Sequence, residues 1–423
     1  MSSERGDVSI ATLLLALVVI FVIATFVLAV FLFIRDDGDG DLTIYSSLPL
    51  HGADGPDRQV EDMVRAIDLA LEQRGHKAGD VEVKYVSLDD STAQAGNWDP
   101  GQTSSNARKA AQDEKTLGYI GEFNSGASAI SIPILNEAGI AQISPANTAV
   151  GLTTDKGKVD PGEPEKYYPS GQRTYARIVP IDTIQAAALV GLMQEDGCTA
   201  VGMTNDKEVY GAGLAKSIEG AAQTQGLKIT GNDSIDKSAS NFRSLGDKMK
   251  REGADCFVHG GVTANNGVQL YQDIAAALPD AKLFGPDGVA EESFADPKEG
   301  GIPEALAKRT KVTVATLDPK EYPPEGQKFF EEFEKAYSEK NPSPYAIYGY
   351  EAMNLMLDTI ERAGSADKAA VVKALFETKG RDSVLGKYDI DENGDTSITD
   401  YGVYEIDAGE LKFAKTIKAE AAK

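Results

Sequence analysis

From Leu42 onward the chain repeats one pattern: a run of strand length, a polar turn, then apolar residues at helical spacing. Parallel neighbours need a long crossover, so such alternation resolves into a parallel sheet with helices on both faces. Leu42–Leu48, Val81–Leu88 and Leu117–Ile120 read as strands, and Gln59–Gly75 and Ser104–Lys115 as helices. In the first helix Val60, Met63, Val64, Ile67 and Leu71 share one face. A second series begins after the strand Tyr175–Pro180. Its helices are Thr183–Glu195, Gly213–Gln225, Asn241–Glu252 and Asn266–Ala276. They alternate with the strands Thr199–Met203, Leu227–Asn232, Cys256–His259 and Lys282–Phe284. A strand at Val312–Leu317, helices Glu325–Ser338, Tyr345–Ala363 and Asp367–Thr378, and a tail of short strands complete the chain. At 423 residues the length suits two such α/β units.

Tyr119–Thr153 concentrates polar loops at one edge of the first unit. Asn124-Ser125-Gly126-Ala127-Ser128 follows one strand, Ala129–Ala138 reads as a helix, and Ser144-Pro145-Ala146-Asn147-Thr148 follows the next strand. Parallel strands bring both loops to the carboxyl edge, where open α/β sheets bind ligands. Hydroxyls and backbone N–H groups there suit a small polar molecule. Helix capping explains the same residue types equally well.

A net charge of −24 disfavours nucleic-acid partners. Ile10–Ile34 is almost unbroken apolar sequence, long enough to cross a bilayer. Its length exceeds a cleaved signal's apolar region, so we expect an uncleaved anchor with the large carboxyl-terminal part outside the cytoplasm. Asp36–Asp41 then reads as a flexible acidic linker.

Two cysteines, Cys198 and Cys256, each fall at the start of a predicted strand. Neighbouring strands would place them in register, near disulfide distance, in a compartment that permits oxidation. Two buried thiols are the alternative. His51, His76 and His259 read as surface or strand-end residues, with no nucleophile arranged beside them. No zinc spacing or Walker-type phosphate loop occurs, and no cofactor or metal is expected. Asp389-x-Asp391-x-Asn393-Gly394 resembles a calcium loop, but its flanks read as strands, and a hairpin turn explains it better. Asp287, in Gly285-Pro286-Asp287-Gly288-Val289, follows a strand and suits an ammonium group, or is a plain turn. Asp155–Gly171, rich in proline and glycine, is a long loop that reads as a flap or a surface insertion.

Taken together, GEFNSGAS (Gly121–Ser128), ISPANTAVGLT (Ile143–Thr153), NDKEVYGAGLA (Asn205–Ala215), HGG (His259–Gly261) and GPDGV (Gly285–Val289) resemble the type I periplasmic binding proteins. The likeness is to the branched-chain amino-acid (Leu/Ile/Val) group of ABC importers, and it runs from about Leu42 to the carboxyl end. It implies an α/β fold of two Rossmann-like lobes with parallel sheets, joined by three hinge strands and closing on ligand. The resulting division is a short tail at 1–9, a transmembrane anchor at 10–34 and a linker at 35–41. Lobe 1 would take 42–178 and about 318–383, and lobe 2 179–317 and about 384–423. The resemblance further implies ligand contacts from Phe123, Asn124, Ser125, Ala146, Asn147 and Thr148 on one side and Tyr210 and Asp287 on the other. Asp287 stands where relatives usually carry Glu. Phe123 and Tyr350 would line a side-chain pocket. Arg58, where many relatives have Tyr, would meet a second carboxylate or point to solvent. The expected partners are an amino-acid-like ligand and a membrane permease, with the chain a monomer. A membrane-tethered sensor of the same fold is the alternative, and an extracytoplasmic α/β enzyme a weaker one.

Overall fold

The computed structural model describes residues 42–52 and 55–419. In the first of two large sheets, β1 (Leu42–Leu48), β2 (Val81–Asp89), β3 (Thr116–Gly121), β4 (Ala141–Ser144) and β5 (Tyr175–Arg177) run parallel in the order β5-β4-β3-β1-β2. In the second, β6 (Ala200–Asn205), β7 (Lys228–Ser234), β8 (Cys256–Gly260), β9 (Lys282–Gly285) and β10 (Thr310–Val314) repeat the scheme as β7-β6-β8-β9-β10. Antiparallel β11 (Asp400–Asp407) and β12 (Glu410–Lys418) extend it. In each sheet the order reverses beside the first strand, which opens a crevice at the carboxyl ends between β1 and β3 and between β6 and β8. β1, β3, β4, β6 and β8 are buried throughout, as strands covered on both faces must be.

The helices that bear on the crevice are α1 (Arg58–Gln73), α2 (Pro100–Gln112), α3 (Ser125–Glu137), α4 (Asp182–Glu195) and α5 (Val209–Gln225). Further along come α6 (Arg243–Arg251), α7 (Val268–Ala277), α8 (Pro324–Tyr337), α9 (Ala346–Ala363) and α10 (Lys368–Phe376). Local chemistry sets several starts. Asp57 accepts the N–H groups of Gln59 and Val60 at the head of α1, and Asp99 accepts that of Gln102, with Pro100 opening α2. α3 starts at Ser125, four residues ahead of its sequence-based start, so the first polar loop is largely the first turn of a helix.

The chain passes between the sheets three times, at 178–181, 315–323 and 389–399. The fully buried Arg177 knots the first crossing to the third. Its Nε donates to Asp395 at 2.7 Å, its Nη1 to the Ala149 carbonyl at 2.8 Å, and its Nη2 to the Thr153 hydroxyl. Asp391 Oδ1 accepts the N–H groups of both Asn393 and Asp395 at 2.8 Å, so the calcium-like residues close a turn on themselves.

Cys198 and Cys256 form a disulfide with Cα atoms 5.8 Å apart. The two cysteines are not in strand register as expected: Val201, not Cys198, stands opposite Cys256, and Cys198 precedes β6. The incoming turn, not strand pairing, brings the sulfurs together. The expected membrane anchor at 10–34 lies outside the described residues. Among the described residues no helix is long and apolar enough to cross a membrane.

Candidate functional site

The first wall of the crevice comes from the polypeptide after β3 and β4. Asn147 binds the two loops together. Its Nδ2 donates to the carbonyls of Glu122 and Phe123 at 3.0 and 2.7 Å, and its Oδ1 accepts from the Tyr175 hydroxyl at 2.9 Å. Ser144 Oγ donates to the Glu122 carbonyl at 2.8 Å and accepts the N–H of Asn147 at 2.9 Å. Ser125 Oγ accepts the N–H of Ala149 at 3.3 Å. Asn124 precedes α3 without capping it through its side chain. The positive end of α3 therefore faces the crevice beside buried Ser125, Ala146 and Thr148.

The second wall is assembled from separated segments. The glycines of its motifs let them touch: a Cβ on Gly211 would lie 2.4 Å from the Gly260 carbonyl oxygen, and one on Gly288 would lie 2.5 Å from that of Gly261. No larger residue allows this approach. Tyr210, in the first turn of α5, donates its hydroxyl to Asp287 Oδ1 at 2.6 Å. Tyr345, at the head of α9, donates to Asp287 Oδ2 at 2.7 Å. Asp287 is 8 % exposed, and burial raises its pKa against these hydroxyls and the Gln185 amide. Asp182, heading α4, has no exposed surface and no hydrogen-bond partner of good geometry on either carboxylate oxygen. Burial, then the Asp287 charge, pushes its pKa well up, against the pull of the Thr148 hydroxyl and Arg177. Two carboxyl groups thus share the base of the cleft, and the Asp182 N–H donates to the Thr148 carbonyl at 2.8 Å, joining the walls. A desolvated acid pair of this kind is best satisfied by a cation with several N–H donors.

The structure gathers Phe123, Ser125, Ala146, Thr148, Tyr210 and Asp287 around this cleft. The Phe123 ring meets Tyr345 edge-on at 6.0 Å. Asn147 serves as the brace between loops. Two expected residues sit elsewhere. Tyr350 packs against Phe329 at 4.9 Å and bonds Gln73 on the outer side of α1. Arg58 pairs with Glu339 and with Glu292 of the second lobe, at the cleft mouth. These partners hold its pKa above the usual value despite burial, and neither is a ligand. Sequence reasoning missed Tyr345, Asp182 and Gln185. Tyr345 and Tyr348 stand three residues apart and share a helix face, whereas Tyr350 is turned away; that spacing was available. Asp182 directly follows the first crossing, a position visible only once the crossing is known. His259 lies buried at the end of β8 with Nδ1 2.8 Å from the Thr204 hydroxyl, and burial lowers its pKa to about 3, so it stays neutral.

The periplasmic binding protein family model matches residues 48–410. The chain is 27% identical over 371 residues to the leucine-, isoleucine-, valine-, threonine- and alanine-binding protein of Pseudomonas aeruginosa, covering 83% of this chain and 87% of that one. The fold is similar to a leucine binding protein from Thermotoga maritima, with a TM-score of 0.74 at 23% identity over 89% of this chain and 99% of the other. It is similar too to a solute binding protein of an ABC transporter from Rhodopseudomonas palustris solved with p-hydroxybenzoic acid. There the TM-score is 0.73 at 17% identity, covering 90% and 97%. With the family matched along most of its length and two doubly wound sheets facing one cleft, the chain belongs to the periplasmic binding protein family and is an extracytoplasmic binding protein, not an enzyme.

Proposed function

We propose that the chain is the solute-binding component of an ABC importer and captures an amino acid, branched-chain or of similar small size, in the cleft between its lobes. The observation that carries this reading is the pairing of Asp287 and the fully buried Asp182, whose carboxylate oxygens accept no hydrogen bond of good geometry, on one side with the open amino end of α3 on the other. A zwitterion is costly to desolvate unless both charges are met. Ser125, Thr148 and the N–H groups of the first wall suit the carboxylate, and Asp287 with Asp182 suits the ammonium. The groups come from both lobes, so ligand favours the closed form by its differential affinity for it.

Relatives bind either amino acids or aromatic acids, and the acid pair favours the former, since a benzoate offers it no cation. Arg58 is already engaged by Glu292 and Glu339, which disfavours a ligand with a second carboxylate. The apolar stretch at 10–34 supports a tether beside a permease. A thermal-shift panel of L-amino acids, dicarboxylates and hydroxybenzoates tests the reading. It expects the largest rise in Tm with small aliphatic amino acids, and a rise with hydroxybenzoates alone would sink it.

A further inference from the structure

The segment from Asp155 to Gly171 is fastened to the first lobe and reaches the second. Buried Tyr167 and Tyr168 anchor it in an apolar cluster with Ile132, Leu152 and Tyr175. The Tyr168 hydroxyl donates to the Leu152 carbonyl at 2.7 Å, and the Ser170 N–H to Asn136 Oδ1 at 2.9 Å. Glu163 organises the outer turn: it accepts the Tyr167 hydroxyl at 2.6 Å and the Asp160 N–H at 2.9 Å. A Cβ on Gly151 would fall 2.0 Å from its carboxylate, so the segment lies directly over the chain leaving Thr148.

From this platform two charges face α5 of the second lobe. Asp160 pairs with Lys216, and Lys158 Nζ stands 3.9 Å from Glu219. Lys216 and Glu219 are three residues apart on α5 and share a face. The signs are reciprocal: cation and anion on the segment meet anion and cation on the helix. A slipped or reversed docking would oppose like charges, so the arrangement specifies one closed position.

We propose that residues 155–171 act as a strap from the first lobe that clasps α5 when the cleft closes and slows release of the bound solute. The pairs are half-exposed, each a weak interaction that salt screens, so the clasp tunes the lifetime of the closed form and does not create it. The functional arm of the test rests on the amino-acid reading above; the contact itself does not.

Zero-length carbodiimide coupling of the full chain, read by mass spectrometry, tests the contact even in the absence of any solute, because irreversible coupling accumulates from each transient closure. The expected product joins Lys216 to Asp160 and disappears in Asp160→Asn. The intrahelical pair Lys308–Glu304, 2.7 Å apart, serves as the internal control. The second measurement follows dissociation of the tightest-binding L-amino acid by the fluorescence of Trp98, the single tryptophan, which lies against Gly126 beside Ser125. Lys216→Asp should release it about threefold faster, and Lys216→Asp with Asp160→Lys should return the rate to within about twofold of the native chain. Control cross-links without the Lys216–Asp160 product would overturn the strap, as would the cross-link with unchanged release rates. If no amino acid binds, the functional reading fails while the cross-link still judges the strap.

Discussion

The two walls of the cleft are built in opposite ways. The first is one continuous stretch, Gly121 to Thr148, whose chemistry is hydroxyls, amides and a helix end, all braced by Asn147. The second is collected from 182–185, 206–211, 259–261 and 285–289, with Tyr345 added from a helix of the first lobe. Its chemistry is carboxylates and phenols. Neutral dipoles repeated along a short stretch tolerate the loss of one member. Asp287 is harder to replace, because its removal leaves the ligand's ammonium with Asp182 alone.

That contrast predicts an order of effects. Asp287→Ala should weaken amino-acid binding by about a hundredfold or more, read by calorimetry. Ser125→Ala combined with Thr148→Ala should cost about thirtyfold, since each hydroxyl serves a charged group and the backbone donors remain. If the double variant lost more than Asp287→Ala, the asymmetry between the walls would be reversed. Tyr345→Phe should cost about tenfold by leaving Asp287 short of a donor, while Tyr350→Phe stays within about twofold. Equal losses would return Tyr350 to the pocket.

The smallest effect concerns the mouth, where Asp57 and Arg58 of the first lobe meet Glu291 and Glu292 of the second. Burial and the Asp57 charge push the Glu291 carboxyl up to about 8. A raised carboxyl favours the closed form while protonated, and that contribution is lost as pH rises through the raised value. Affinity should therefore fall by about threefold or more as pH rises from the ordinary carboxylate range to this value and level off above it, and Glu291→Gln should flatten the profile. A flat profile in the native chain would remove Glu291 from the closure equilibrium.

The same contrast governs what could be read from sequence. The alternation of strands and helices exposed both sheets because the parallel-strand period is local. The first wall was legible for the same reason: its loops lie 20 or so residues apart and each follows a visible strand. Asp287 is a candidate from its strand-end turn alone, with a plain turn equally open until the resemblance is added, whereas Tyr210 is legible only through the resemblance. Asp182 and Tyr345 were not seen, because their meaning depends on where the crossings return the chain. Tyr350 lies on the α9 face that packs on Phe329, and only helix phase separates it from Tyr345, which bonds Asp287. The choice for Arg58 between a ligand carboxylate and solvent is not readable locally, because its acidic partners, Glu292 and Glu339, lie more than two hundred residues away. The disulfide was expected from strand register, yet the register differs and a turn supplies the approach.

The central claim is that the cleft meets both charges of one zwitterion. Calorimetry with L-leucine, 4-methylpentanoate and 3-methylbutylamine on the native chain and Asp287→Asn tests it most directly, because the three share a side chain and differ only in charge. The account predicts tight binding of leucine alone, lost on Asp287→Asn, with neither half-ligand bound appreciably. Binding of 4-methylpentanoate as tightly as leucine, unaffected by Asp287→Asn, would contradict it.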